Sequence, residues 1–251
     1  MEESRRFLKT YTYESLFYSE KRVQTDQMAG VTHPPLQKDY PKDAALIDLI
    51  ASDNLKIGKM PLINAIRKRR SHRVYSERSL SLEELSFLLW ATQGVHEVWR
   101  EGIATRRTVP SAGSRHPFET YLAVFKVDEL KLGLYRYLPL EHKLYLISTD
   151  KTLPENLVTS CMGQKFVGTS AVTFVWTTIP YRTEWRYGKA SHKIIALDVG
   201  HVCQNLYLAC ESINAGTCAI GAYFQDKMDA LLGIDGKKEF TIYVAPVGKI
   251  E

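Results

Sequence analysis

Apolar residues recur along this chain at two periods, and the switch between them marks out its elements. Leu85, Leu88 and Leu89 follow Ser81 and Glu84, a serine with a glutamate three places on, which is the reciprocal cap of a helix start. Gly94 predicts the end of that helix. Pro61 opens another helical run through Leu62, Ile63, Ala65 and Ile66, which turns basic at Arg67 and ends near Arg69 or Arg70. The longest helical repeat covers residues 191–214 through Ile194, Ile195, Val199, Val202, Leu206, Ala209 and Ile213, and its spacing predicts a central helix closing at Gly216. Three runs, 119–125, 172–177 and 240–245, are instead almost continuously apolar and rich in β-formers. That pattern predicts strands covered on both faces.

Residues 1–59 show neither period for long and are broken by His33-Pro34-Pro35 and Tyr40-Pro41. They predict an N-terminal arm with one or two short helices, packed on a main domain over residues 60–251. Strands and helices alternate irregularly, without the βαβ period or the glycine-rich turn of a dinucleotide-binding fold. The expected class is therefore α+β, a mixed sheet flanked by helices. Hydrophobic residues make up 45% of the 251 and charged residues 24%, so the chain has the means to bury a core.

A net charge of +5 is mild for this length and gives no reason to expect nucleic acid. No apolar run approaches the roughly 18 to 20 residues that span a bilayer, and Met1-Glu2-Glu3-Ser4-Arg5-Arg6 is not followed by a signal core. Cys161, Cys203, Cys210 and Cys218 form no C-x-x-C pair and no zinc spacing. Reduced thiols, a cytoplasmic location and no metal are expected. The motifs of serine hydrolases, P-loop NTPases and zinc peptidases do not occur.

Four constellations remain. Arg67-Lys68-Arg69-Arg70-Ser71-His72-Arg73 sets several donors and a hydroxyl at the end of a helix, which suits a phosphate and equally suits a solvated basic face. Residues 106–117, with Pro110, Ser111, Ala112, Gly113, Ser114, Arg115 and His116, read as a turn before a strand or as a small-residue seat for a planar ligand. The segment 216–223 reads as a short apolar strand whose glycine lets a backbone N–H approach a ligand. Asp198 and His201 fall among apolar residues of the long helix, where a buried acid needs a partner, and a structural role is the simpler reading.

Taken in order, these segments resemble the nitroreductase family, and within it the SagB-type branch related to thiazoline and oxazoline oxidases. The resemblance rests on residues 69–75, 89–94, 110–119, 133–137, 198–206, 216–222 and 246–249, and it runs from about Pro34 to the end of the chain. It implies a mainly antiparallel sheet and a homodimer with FMN at the interface. It implies that Arg69, Ser71 and Arg73, with the adjoining Arg70 and with Lys249, bind the ribityl phosphate. Ser111, Gly113 and Ser114, in a segment with Pro110, Ala112 and Arg115, would line the isoalloxazine. Ile220, Gly221 and Ala222 would lie by its reactive edge, with the Gly221 N–H at N5. Hydride would pass from NADH, NADPH or an organic donor to a small organic acceptor. The azoline-oxidising relatives carry a Lys-Tyr pair where this chain has Arg186-Tyr187, and arginine does not serve as a base near neutral pH. Arg186 and Tyr187 are still expected at the substrate face. A peptide azoline dehydrogenase and a non-redox polyanion-binding protein stand as alternatives.

Overall fold

The computed structural model describes residues 5, 7–9 and 23–251. Its strands are β1 (Leu46–Asp48), β2 (Val95–Trp99), β3 (Ala104–Arg107), β4 (Phe118–Val124), β5 (Gly133–Leu138), β6 (Lys143–Ser148), β7 (Val172–Thr178), β8 (Ala215–Thr217) and β9 (Phe240–Lys249). Its α-helices are α1 (Leu62–Lys68), α2 (Leu82–Gln93), α3 (Leu153–Ser160), α4 (Tyr181–Tyr187), α5 (Ser191–Ser212) and α6 (Gln225–Leu232). Seven strands form one sheet in the order β1-β6-β5-β4-β7-β9-β8, and β2 pairs with β3 in a separate hairpin. The α+β class is as expected. The sheet is mainly antiparallel, as the resemblance implies: each strand pairing is antiparallel, and parallel pairing among the described residues is confined to the isolated bridges Ser71–Thr217 and Leu80–Val127.

The apolar runs become β4, β7 and β9 because helices cover both sides of the sheet. Every residue of β4 and of β7 is buried. Alternate residues part to opposite faces. Leu122, Val124, Phe174 and Trp176 pack with Leu85, Leu88 and Leu89 of α2 and with Ile195, Val199 and Leu206 of α5. Tyr121, Ala123 and Val175 pack on the other side with Leu157 of α3 and with Met228 and Leu232 of α6. Each fully buried Leu or Phe contributes about 1.5–3 kcal/mol, so the two faces together are the main source of stability.

Helix ends follow local chemistry. Glu84 N–H donates to Ser81 Oγ at 3.1 Å while Ser81 N–H donates to Glu84 Oε2 at 3.0 Å, the reciprocal cap the sequence predicts. The long helix stops elsewhere than expected: α5 ends at Ser212, and Asn214, with φ 55°, makes the left-handed turn. Gly216 sits in β8 instead, where an added Cβ would lie 2.6 Å from the His72 Cβ. The short helices expected in the arm fall largely outside the described residues, and what is described of it can be placed. It supplies the edge strand β1, paired with β6, and one 3-10 turn at Ser52–Asn54. Its residues 1–4, 6 and 10–22 lie outside the described residues.

The arm is tied down by buried charge. Arg182 of α4 donates to Glu119 Oε1 at 2.6 Å, with both side chains 2% exposed, and the Lys38 N–H donates to the same oxygen at 2.9 Å. Lys38 Nζ reaches Glu239 at 2.6 Å, and Tyr121 and Thr177 donate to Glu239 as well. One carboxylate on β4 therefore holds both α4 and the arm. Removing it strands a buried guanidinium, which costs about 3–5 kcal/mol. Urea denaturation of Glu119→Ala should show a loss of that size. The same substitution at exposed Glu97, paired with Arg106 at 2.9 Å, should cost about 1 kcal/mol or less. Equal losses at the two sites would refute the assignment.

Candidate functional site

The first half of the site is built where α1 runs into the basic loop. Three groups fix this loop. Arg70 N–H donates to Glu211 Oε1 at 3.3 Å, His72 N–H donates to the Thr217 carbonyl at 3.0 Å, and Tyr75 Oη donates to the carbonyls of His72 and Pro246. The fit is close because Gly216 and Gly248 leave room for it: a Cβ at Gly248 would meet the Tyr75 ring at 2.7 Å. On this backbone Arg69 lies over the Tyr207 ring, its guanidinium carbon 5.4 Å from the centroid, and Ser71 Oγ is 3.0 Å from Tyr207 Oη. Neither Arg69 nor the exposed Arg73 has an acidic partner among the described residues.

Two expected members of this cluster have other duties. Arg70 folds back and donates to the carbonyls of Arg67, Lys68 and Arg69, closing the C-terminus of α1. Lys249 donates to Glu84 Oε1 at 2.6 Å and to the Ile213 carbonyl at 2.7 Å, so its charge is neutralised at the start of α2. Tyr207 is the member that sequence reading missed. Its hydroxyl accepts from Ala219 N–H at 2.8 Å besides touching Ser71, linking the basic loop to the 216–222 segment.

Beyond β8 that segment does not continue as a strand. Ile220 exchanges backbone hydrogen bonds with Val244, and Gly221 and Ala222 are exposed. The Ala222 carbonyl accepts from Gln164 Nε2 at 3.1 Å. Gly221 N–H donates to no group among the described residues, and nothing lies within 4 Å of where its Cβ would be. A backbone donor thus faces open space.

The second half is the turn at 110–116. Ser111 Oγ donates to Asp198 Oδ2 at 2.6 Å, Ala112 N–H donates to the same oxygen at 3.2 Å, and His116 N–H donates to Ser111 Oγ at 3.0 Å. This is the partner the buried acid needed. Burial raises the Asp198 pKa, and the two hydrogen bonds oppose that rise. Gly113 and Ser114 take positive φ, of 62° and 54°, which turns the backbone tightly over α5. Pro110 and Gly113 are exposed, with Ala112 and Ser114 half-buried.

Side chains assigned to ring contacts in this turn are partly committed elsewhere. The Ser111 proton is held by Asp198. Arg115 is buried, donates to the carbonyls of Arg182 and Ile103, and stacks on Trp185. Burial, with Arg186 and Arg182 nearby, lowers its pKa to about 10. His116 is buried too, and burial and the charge of Arg107 push its pKa well down. What the turn offers outward is backbone, Gly113 and Ser114.

Arg186 and Tyr187, the last residues of α4, lie on this turn. A Cβ at Gly113 would fall 2.8 Å from Arg186 Nε and 2.8 Å from Tyr187 Oη. The two halves do not form one pocket. Asp198 and Tyr207, which hold them, are nine residues apart on α5, about two and a half turns, and so face opposite sides of the helix.

The comparisons agree with this architecture. A model of the nitroreductase family matches residues 66–249. A Methanocaldococcus jannaschii protein named as a nitroreductase is 33% identical over 193 residues, covering 77% of this chain and 93% of its own. A solved structure from Ralstonia eutropha, also named as a nitroreductase, is 26% identical with a TM-score of 0.67, covering 88% of this chain and 99% of that one. The NADPH:FMN oxidoreductase of Vibrio harveyi, solved with NAD+, is 18% identical and shares the fold at a TM-score of 0.52 over 76% of this chain and 69% of its own. The family match runs from within α1 to the end of β9, through both halves of the site and the helix between them: this chain belongs to the nitroreductase family.

Proposed function

We propose that this protein is an FMN-dependent oxidoreductase that works as a homodimer, with one flavin site at each end of the interface. The half turn of α5 carries this reading. One protomer offers Arg69, Ser71, Arg73 and the Gly221 N–H on one side of the helix, and the 111–114 turn with Arg186 and Tyr187 on the other. A two-fold axis brings the first set of one copy to the second set of its partner.

The residues present fit the cofactor. Two cations without acidic partners among the described residues and the Ser71 hydroxyl suit a phosphate. A turn presenting backbone and small side chains lets a planar ring lie flat, and an unpartnered N–H suits an acceptor atom at the ring edge. Bound FMN supplies the two-electron chemistry, taking a hydride at N5 from NADH, NADPH or an organic donor and giving it to a small organic acceptor. The protein's share is to hold the phosphate through Arg69 and Arg73, to orient the ring edge through Gly221, and to shape the substrate face with Arg186 and Tyr187. Family membership supports the flavin, and the likeness to an NADPH:FMN oxidoreductase supports a nicotinamide donor. With Arg186 where azoline-oxidising relatives have lysine, reduction or dehydrogenation of a small molecule stands ahead of azoline oxidation.

An apolar face supports the dimer. Leu62, Ile63 and Ile66 of α1 and Leu197 of α5 are all more than half exposed, the last of them 56%. Leu62 also lines a cavity of about 360 Å³ with Met60, Trp90, His96 and Leu208. Scattered apolar residues need no explanation, whereas three on one short helix beside an apolar groove suit a self-complementary interface.

Three outcomes are expected. The purified protein is yellow, and heating releases FMN rather than FAD. A colourless protein that takes up no added FMN would end the flavin reading. Arg69→Ala and Arg73→Ala each weaken FMN about ten- to a hundredfold, because a charge-assisted hydrogen bond contributes about 1.5–3 kcal/mol. Titrating apoprotein with FMN and riboflavin checks this: the parent's preference for FMN should shrink in both variants and persist in Lys249→Ala, whose charge is spent on Glu84. Finally, Ile66→Glu with Leu197→Glu should give monomers by light scattering and lose flavin together with the dimer. Flavin retained by monomers would count against a shared site.

A further inference from the structure

Arg186 is a half-buried cation without an anionic partner among the described residues. Its guanidinium lies against the backbone of the 111–114 turn and over the Tyr187 ring, 5.4 Å from the centroid. Its side-chain hydrogen bond goes to the neutral amide of Gln27, at 3.3 Å. The acids around it are engaged. Glu119 holds Arg182, Asp198 holds Ser111 and Ala112, Glu184 pairs with His192 at 3.1 Å, and Asp26 accepts from Tyr181 at 2.6 Å. A second guanidinium, Arg115, sits close enough for the Arg186 charge to depress its pKa. Arg186 and Arg115 thus bring two guanidiniums to a turn that rests on the Asp198 carboxylate, and neither has an ion-pair partner among the described residues.

Arg107 and Arg115 spend their guanidiniums on Thr105, Gln93 and backbone carbonyls, whereas Arg186 makes one side-chain hydrogen bond among the described residues, at 3.3 Å, which leaves the rest of its fork for an incoming acceptor. Arginine stays protonated and presents a planar fork of donors, so its fitting role here is to grip a planar anion rather than to move a proton. We propose that the substrate of this site bears a carboxylate, which the Arg186 guanidinium binds while the rest of the molecule lies over the 111–114 turn. The proposal rests on the flavin reading above, which makes this turn the substrate side. It adds the chemical class of the substrate and gives Arg186 a binding role in place of the lysine's.

The test uses benzoate and benzamide, which share shape and differ in charge. Each is titrated against the purified holoenzyme, followed by the heat of binding and by the shift of the flavin absorbance band. Benzoate should bind about ten- to a hundredfold more tightly than benzamide, the worth of one charge-assisted hydrogen bond. Arg186→Gln should remove that preference, while Arg186→Lys, which keeps charge but not the fork, should retain part of it. With 4-nitrobenzoate and 4-nitrobenzamide as acceptors, the same preference should appear in KM and vanish in Arg186→Gln.

Equal binding of the two in the parent overturns the proposal, and so does a preference that survives Arg186→Gln in protein of unchanged melting temperature. If Arg186→Gln instead raises KM for NADPH and spares benzoate, the anion is the nicotinamide's phosphate and the carboxylate is refuted. A colourless preparation would overturn the flavin reading alone, since calorimetry of benzoate on parent and variant reads the arginine's anion site without the flavin band.

Discussion

A helix shows residues nine apart on opposite sides, and α5 carries Asp198 and Tyr207 at that spacing. Everything assembled on the Tyr207 side, from the basic loop to the 216–222 segment, is separated by the thickness of a helix from everything assembled on the Asp198 side. No side-chain movement joins the two halves within one copy. Either they serve separate ligands or a second copy supplies the missing half. The exposed Leu62, Ile63, Ile66 and Leu197 favour the second alternative, because a partner that buries them also brings its own half-sites to the seam.

Precision in each half comes from groups that hold its loops in place. Asp198 spends its carboxylate on shaping the 111–116 turn, and Glu211, Tyr75 and Tyr207 do the same for the basic loop. Such bonds are costly to bury and are retained where geometry matters more than stability. The interior under α4 follows the same rule. Arg107 is fully enclosed, its pKa lowered to about 10 by burial, and it donates to Thr105, Gln93 and the Leu36 carbonyl. Arg107, Arg115 and Arg182 together form a rigid floor for the end of α4.

The elements legible in the sequence are those whose cause is local. The Ser81–Glu84 cap, the apolar strands and the face of α5 are each specified by residues within a turn or a strand of one another. Short elements such as α3 and α6 escaped because their stability comes from packing on the sheet and not from period, and the strand read at 216–223 is confined to β8. For the site, the structure brings the segments singled out in the sequence into two groups, and it gives several of the named side chains protein partners. Whether a cation is free depends on acids distant in the chain: Lys249 meets Glu84, and Arg70 meets the carbonyls of its own helix. Tyr207 was hidden because an aromatic ring in an amphipathic helix reads as core. Its only signal was a polar tip beside the glycine-rich 216–222 segment.

Arg186 is held from outside the matched region. The family match begins at residue 66, whereas Gln27, which accepts from Arg186, belongs to the arm. So does the surrounding support. Gln27 N–H donates to the Trp185 carbonyl at 2.9 Å, Trp185 Nε1 donates to the Val31 carbonyl at 2.8 Å, and His33 meets the Trp185 ring edge-on. The arm thus grips α4 along its length, and Arg186 inherits its position from that grip. On the flavin reading proposed above, a scaffold shared with the family would hold the flavin half, while a segment beyond the family match would set the residue that faces the substrate. In that arrangement the chemistry of the cofactor stays constant while the arm is free to change what is presented to it, which is how binding sites on one fold diverge in substrate without rebuilding the core.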